Sequence, residues 1–177
     1  TTGRLILGLI KPTDGKVYFK GEEIFPFTKE IRRKIQIIFQ DPYQSLNPRM
    51  NIYSHLVEPI SIHGLANGRD EKKECVKKIL ETVGLIPPEE FIYRYPYELS
   101  GGQRQRVAIS RAFIIKPEFL VADEPVSMLD VSIRAGILDL MMTLRDKFGL
   151  SQIFITHDLA VARYICDRIA VMYLGKI

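Results

Sequence analysis

Short, almost uniformly apolar runs alternate along the chain with longer segments whose apolar residues recur every three or four positions. The first kind reads as strand and the second as amphipathic helix. Lys16–Phe19 follows the turn signal Pro12-Thr13-Asp14-Gly15 and stops at Gly21, which predicts a strand. Ile35–Phe39 predicts a second, Phe119–Ala122 a third, Ile153–Thr156 a fourth and Ile169–Leu174 a fifth. The last three lack the alternation of a half-exposed strand and read as strands covered on both faces. Between them, Val131–Phe148 places Ile133, Ile137, Leu140, Met141 and Leu144 on one helical face, and Leu159–Cys166 is a second helix. That order, β-α-β-α-β, predicts an α/β fold with a parallel sheet and crossover helices.

Asn51–Ile115 has a different rhythm. Helical spacing runs over Ile52–Ile62, Asp70–Val83, Glu89–Tyr95 and Gln103–Ile115 with no convincing strand among them, and Gly64, Gly68, Gly84 and Pro87-Pro88 mark the turns. Helices without strands, placed between two strands of one sheet, predict a helical subdomain inserted into an α/β core. The expected division is core over 1–42, helical subdomain over 43–115 and core again over 116–177. There is no internal repeat and no low-complexity stretch.

Composition narrows the class. The chain has 177 residues, 46% of them hydrophobic, and the scaling of surface with mass leaves roughly 70% of the unfolded chain's area buried on folding. A core without crosslinks is therefore within reach. Cys75 and Cys166 have no CxxC partner and are too few for a disulfide scaffold, so a reducing compartment is expected. No apolar run, Leu5–Ile10 included, approaches the ~20 residues of a membrane span. The first residues carry no secretory signal. The expectation is a soluble, cytosolic protein. The net charge is +4, with both signs interspersed, as in Arg69–Lys78. Arg32-Arg33-Lys34 and the Arg104/Arg106/Arg111 group are the basic clusters. Neither is the one-signed stripe with aromatic platforms that nucleic acid requires, and no nucleic-acid partner is expected.

Two motifs carry chemistry. Leu99-Ser100-Gly101-Gly102-Gln103, followed by Arg104-Gln105-Arg106, opens an amphipathic helix. Its glycines let backbone N–H groups approach an anion, Ser100 offers a hydroxyl, and the helix dipole favours negative charge. A plain serine cap with a glycine turn reads the shorter Ser-Gly-Gly equally well. Phe119-Leu120-Val121-Ala122-Asp123-Glu124-Pro125 ends a buried strand in two adjacent carboxylates, at the edge where open α/β sheets bind ligands. Asp123 suits a magnesium ion and Glu124 a water-orienting role in phosphoryl transfer, with a solvated acidic loop as the alternative. Gln40 after Ile35–Phe39 and His157 after Ile153–Thr156 fall at matching strand ends.

Taken together, Gln40, the LSGGQ at 99–103, the LVADEP at 120–125, Ser127-Met128-Leu129-Asp130 and His157-Asp158 resemble, in order and spacing, the ATP-binding subunits of ABC transporters. The resemblance covers essentially the whole chain and implies a P-loop NTPase-type parallel sheet core with an inserted helical subdomain, binding ATP and Mg2+. It implies that Gln40 is the Q-loop glutamine, tied to the metal region, and that Ser100, Gly101, Gly102 and Gln103 close over ATP held by an opposite subunit. Asp123 becomes the Walker B carboxylate at the metal, Glu124 the general base or water-orienting residue, Asp130 the D-loop aspartate and His157 the switch histidine. Phe39-Gln40-Asp41-Pro42, Ser45-Leu46-Asn47-Pro48-Arg49-Met50 and Arg94-Tyr95-Pro96-Tyr97-Glu98-Leu99 look like the oligopeptide/dipeptide importer ATPases, some of whose relatives carry oligosaccharides or nickel. The partners so implied are a second ATPase subunit, transmembrane permease subunits and, indirectly, an extracytoplasmic solute-binding protein. The place implied is the inner face of the cell membrane.

The sequence departs from that pattern at one important point. No GxxxxGK[ST] phosphate loop occurs: Gly15-Lys16 is followed by Val17 and Gly175-Lys176 by Ile177. In the family this loop would lie just before Thr1, which would then neighbour the metal-binding Ser/Thr and contact the α-phosphate. The expectation is a fragment truncated at both ends, which does not hydrolyse ATP alone because a preorganised phosphate cradle is missing. Met128 and Ala122 are smaller departures. A soluble, non-transport ABC ATPase is the alternative; Gln40 and Leu99 are only 59 positions apart, leaving no room for coiled-coil arms. A silent regulatory subunit is a further one, against which Glu124, His157 and Gln40 all stand.

Overall fold

A computed structural model describes residues 1–177. Along the chain run α1 (Thr2–Ile6), β1 (Tyr18–Phe19), β2 (Glu22–Glu23), α2 (Lys29–Lys34), β3 (Ile35–Ile38), α3 (Pro42–Ser45), α4 (Ile52–His63), α5 (Arg69–Thr82) and α6 (Pro88–Ile92). A 3-10 turn at Pro96–Glu98 leads into α7 (Gly101–Phe113), followed by β4 (Phe119–Asp123), α8 (Val131–Phe148), β5 (Ser151–Ile155) and α9 (Leu159–Ile165).

The sheet is parallel with order β3-β4-β5, pairing Ile35 with Phe119 and Asp123 with Ile155. As the middle strand, β4 is covered on both faces, and its alternation separates two cores. Leu120 and Ala122 join the larger, with Ile38, Phe113, Ile137, Met141 and Leu144. Val121 points the other way, into a small core with Leu7, Ile24 and Ile35.

No strand interrupts the chain between Ile38 and Phe119. The helices there pack on one another, and Leu56, Ile60, Val76, Leu80 and Phe91 are continuous with the sheet's larger core. Asn51 caps α4 by accepting from the Ser54 amide at 2.9 Å, and Gly64 ends it at φ +62°. Only a residue without a Cβ adopts that left-handed turn freely.

Three strand expectations are corrected. Ile169–Leu174 is exposed and makes no ladder; only an isolated bridge joins Tyr173 and Lys176. An apolar run becomes a strand only when another backbone accepts its hydrogen bonds, and β5 pairs here with β4 alone. For the same reason β5 is an edge strand and Ile153 is partly exposed, not covered on both faces. Lys16–Phe19 is a strand only over Tyr18–Phe19, outside the parallel sheet. Its last two residues pair with Glu22–Glu23 across Lys20-Gly21, both at positive φ, in the manner of a two-residue hairpin turn.

None of the helices is long and apolar enough to cross a membrane.

Candidate functional site

Parallel strands end on the same side of a sheet, so residues just past β3, β4 and β5 share one edge. Gln40, Glu124 and His157 occupy those positions and are joined there. Gln40 Nε2 donates to Glu124 Oε2 at 3.1 Å. His157 Nδ1 lies 3.1 Å from Glu124 Oε1. One carboxylate is gripped from the strand on either side, one oxygen to each.

The backbone is bent to allow this. Glu124 has φ +46°, a conformation that costs a residue with a Cβ about 1–2 kcal/mol. Its N–H donates to the Ile155 carbonyl at 2.9 Å, one step beyond the β4–β5 ladder, and its carbonyl accepts from the Ser127 amide and hydroxyl at 3.2 and 3.0 Å. Three bonds hold the strained turn. The histidine side chain is 76% exposed and the glutamate 24%. His157 therefore leans on the corner from solvent and can leave it without breaking buried packing.

Asp123 ends β4 half-buried, and its carboxylate makes no hydrogen bond or ion pair. No group of three His, Cys, Asp or Glu converges on it. That donor set fits Mg2+, which takes one or two carboxylates beside waters and phosphate oxygens, better than a metal needing an all-protein cage.

The start of α7 is separate from this corner. Ser100 Oγ accepts from the Gln103 amide at 3.3 Å while Gln103 Oε1 accepts from the Ser100 amide at 3.0 Å, a reciprocal capping box. The amides of Gly101 and Gly102 keep no intrahelical acceptor, so the helix start retains donors for an anion. Gly102 is also needed for packing: a Cβ there would stand 2.8 Å from Ile133 Cγ2 of α8. Asp130 sits at the N-cap of α8 but caps nothing, leaving an exposed carboxylate. Thr1 is exposed ahead of α1 with no side-chain bond. None of Ser100–Gln103, Asp130 or Thr1 bonds to Gln40, Glu124 or His157 within the chain.

Two arrangements escape the sequence reading. Arg134 Nε donates to the Leu129 carbonyl at 2.8 Å and its Nη2 reaches the Ser127 carbonyl at 3.5 Å, fixing the turn that carries Met128 and Asp130. The Arg104/Arg106/Arg111 group is not a solvent-facing basic cluster: the three donate to the carbonyls of Pro96, Val83 and Ser45 respectively. The seven-residue spacing of Arg104 and Arg111 sets both on one helix face with the apolar Val107 between them, and Val107 is the signal that this face packs.

The profile of the ABC transporter family matches residues 1–127. Two oligopeptide transport ATP-binding proteins of Bacillus subtilis, OppF and AppF, are 50% and 49% identical over 100% and 99% of the chain, which covers 59% and 54% of their lengths. The chain thus spans a little over half of the curated relatives it matches. A solved ATP-binding cassette, dimeric and bound to ADP and Pi in a post-hydrolysis state, superposes with a TM-score of 0.78 at 32% identity, over 92% of this chain and 71% of that one.

Proposed function

The chain belongs to the ABC transporter family, and from that premise we propose that it forms the greater part of the ATP-hydrolysing subunit of a peptide importer. The observation that carries the reading is the Glu124 carboxylate held between Gln40 and His157 at the carboxyl edge of the sheet. Glu124 orients a water and takes up its proton at a carboxylate oxygen, Gln40 keeps that oxygen aimed, and His157 steadies the other. Asp123 and the amide oxygen of Gln40 would hold Mg2+, whose contribution when bound is to neutralise phosphate charge. Thr1 would face the α-phosphate. Ser100, Gly101, Gly102, Gln103 and Asp130, unengaged with the corner of their own chain, serve the site of a second ATPase subunit in a head-to-tail pair.

Peptide is the proposed cargo because the two relatives named above are oligopeptide transport proteins. We place the subunit on the cytoplasmic face of the membrane against a transmembrane permease, fed by an extracytoplasmic solute-binding protein. A cavity of about 440 Å³ between β3, α4 and α7, lined by Phe39, Ser45, Glu58, Ile62 and Arg111, is where a permease loop would seat. Crosslinks from Tyr43–Met50 to a permease loop in the intact transporter support this placement, and their absence contradicts it. The 177 residues alone, with no GxxxxGK[ST] loop, are proposed not to turn over ATP. The direct test is ATP hydrolysis by the full-length protein. Glu124→Gln lowers kcat by about 100-fold or more while ATP still binds; equal turnover by the variant removes the proposed role.

A further inference from the structure

Arg104 follows Gln103 directly and is 6% exposed. Its Nη1 donates to the Pro96 carbonyl at 2.8 Å, its Nη2 donates to the Tyr43 hydroxyl, and its guanidinium carbon stands 3.7 Å from the centroid of the Tyr43 ring. Two turns along the same face of α7, Arg111 Nη1 donates to the Ser45 carbonyl and Nη2 to Glu58 Oε2, both at 3.0 Å. The two arginines thus hold α3 at both of its ends.

That segment is itself stiff. Asp41 Oδ1 accepts from the Tyr43 amide at 2.8 Å, the Asp41 carbonyl accepts from the Ser45 amide at 3.2 Å, and Ser45 Oγ donates to the Pro42 carbonyl at 3.1 Å. Gln40, immediately before it, donates to Glu124. A continuous set of contacts therefore runs from Glu124 through Gln40 and the 41–45 turn to Tyr43, then through Arg104 to the first turn of α7. The Pro96 contact adds the 3-10 turn through which the chain enters that helix. Arg104 Nε is buried with no partner, so the forked Nη pair and the flat face over the ring are what the position uses. A lysine, with one point charge and no plane, reproduces neither contact set.

We propose that Arg104 is a positioning residue that makes the turn after Gln40 and the start of α7 one rigid body. A shift of Gln40 at the Glu124 corner is then delivered to Ser100–Gln103 and, in the pair, to the opposite site. The inference rests on the ATPase reading above.

The test is steady-state ATP hydrolysis by the full-length protein with its paired ATPase subunit, comparing wild type, Arg104→Lys, Tyr43→Phe and the double variant. Tyr43 is 62% exposed, so loss of its hydroxyl disturbs folding less than a change to the buried arginine and keeps the test decisive if the arginine variant is unstable. The expected result is a kcat lowered roughly tenfold in Arg104→Lys and about threefold in Tyr43→Phe, with the KM for ATP within about twofold of wild type. The double variant is expected to be no worse than Arg104→Lys, because both residues act through one contact. Wild-type kcat in both single variants, even with a lowered Tm, overturns the inference, as does a double variant whose losses multiply. If wild type itself does not hydrolyse ATP, the underlying reading fails and the inference goes with it.

Discussion

The strand-end corner and the start of α7 carry comparable polar chemistry but spend it differently. At the corner, Gln40, Glu124 and His157 come from three separate strand ends and bond to one another. At the start of α7, Ser100 and Gln103 satisfy each other within four residues and reach nothing else in the chain. The corner is a local assembly on strained but well-tied backbone. The helix start is a preformed, self-capped turn in which the Gly101 and Gly102 amides keep no intrahelical acceptor. A site that is completed when two such surfaces meet needs both properties: one side arranged for chemistry in advance, the other stiff enough to arrive as a unit.

The largest way to break this contrast is at the corner. His157→Ala in the full-length protein is expected to lower ATP turnover by roughly 100-fold with ATP binding retained, since the residue is exposed and holds only Glu124. Measuring binding and turnover side by side checks it; equal loss of both points to a structural role. At the helix start the damage shows first in folding. Gly102→Ala drives a Cβ against Ile133 Cγ2 and is expected to destabilise by about 1–3 kcal/mol in denaturant unfolding. In a double-mutant cycle, the cost of Gly102→Ala should be smaller in an Ile133→Ala background than in wild type. An equal cost in both backgrounds would mean that the glycine is not there for packing. Ser100→Ala removes one half of the capping box and should lower stability by about 1 kcal/mol.

The smallest effect belongs to α4. His55 is buried, and its Nε2 faces the Asn47 carbonyl at 3.0 Å. A carbonyl only accepts, so Nε2 carries the proton and Nδ1 is left without a partner. Burial holds the His55 pKa below its usual value, against the opposing hydrogen bond to Asn47 and with help from the Arg111 charge. The unfolded chain protonates near about pH 6.5 and the folded chain only at lower pH. Stability present above that point is therefore lost as pH falls through the folded value. Tm measured from pH 7.5 down to 5 should drop more steeply in wild type than in His55→Leu; parallel curves would contradict this.

Local pattern made the framework legible. Ile35–Ile38 and Phe119–Asp123 are apolar runs between turn signals, and both are strands because each finds a neighbour in register. The helices from Ile52 to Phe113 follow spacing and caps that are written in adjacent residues. What pattern could not supply was partnership. Ile169–Leu174 has the composition of a buried strand but no ladder to join. Arg104, Arg106 and Arg111 look like surface charge until the carbonyls they bind, up to 66 positions away, are brought beside them. At the site, strand ends announced Gln40, Glu124 and His157, whereas the positive φ of Glu124 that lets them meet has no sequence signal in a glutamate.

The corner of one chain is proposed to work only when the helix start of a second chain is brought to it. The measurement is ATP turnover per full-length chain, at fixed ATP and Mg2+, as a second ATPase subunit, the same protein or its paired subunit, is titrated in. Turnover should rise and saturate with the second subunit, and should not rise when both subunits carry a bulky charge in place of Ser100 or its equivalent. Turnover per chain that stays constant down to concentrations where light scattering finds only monomer would contradict it.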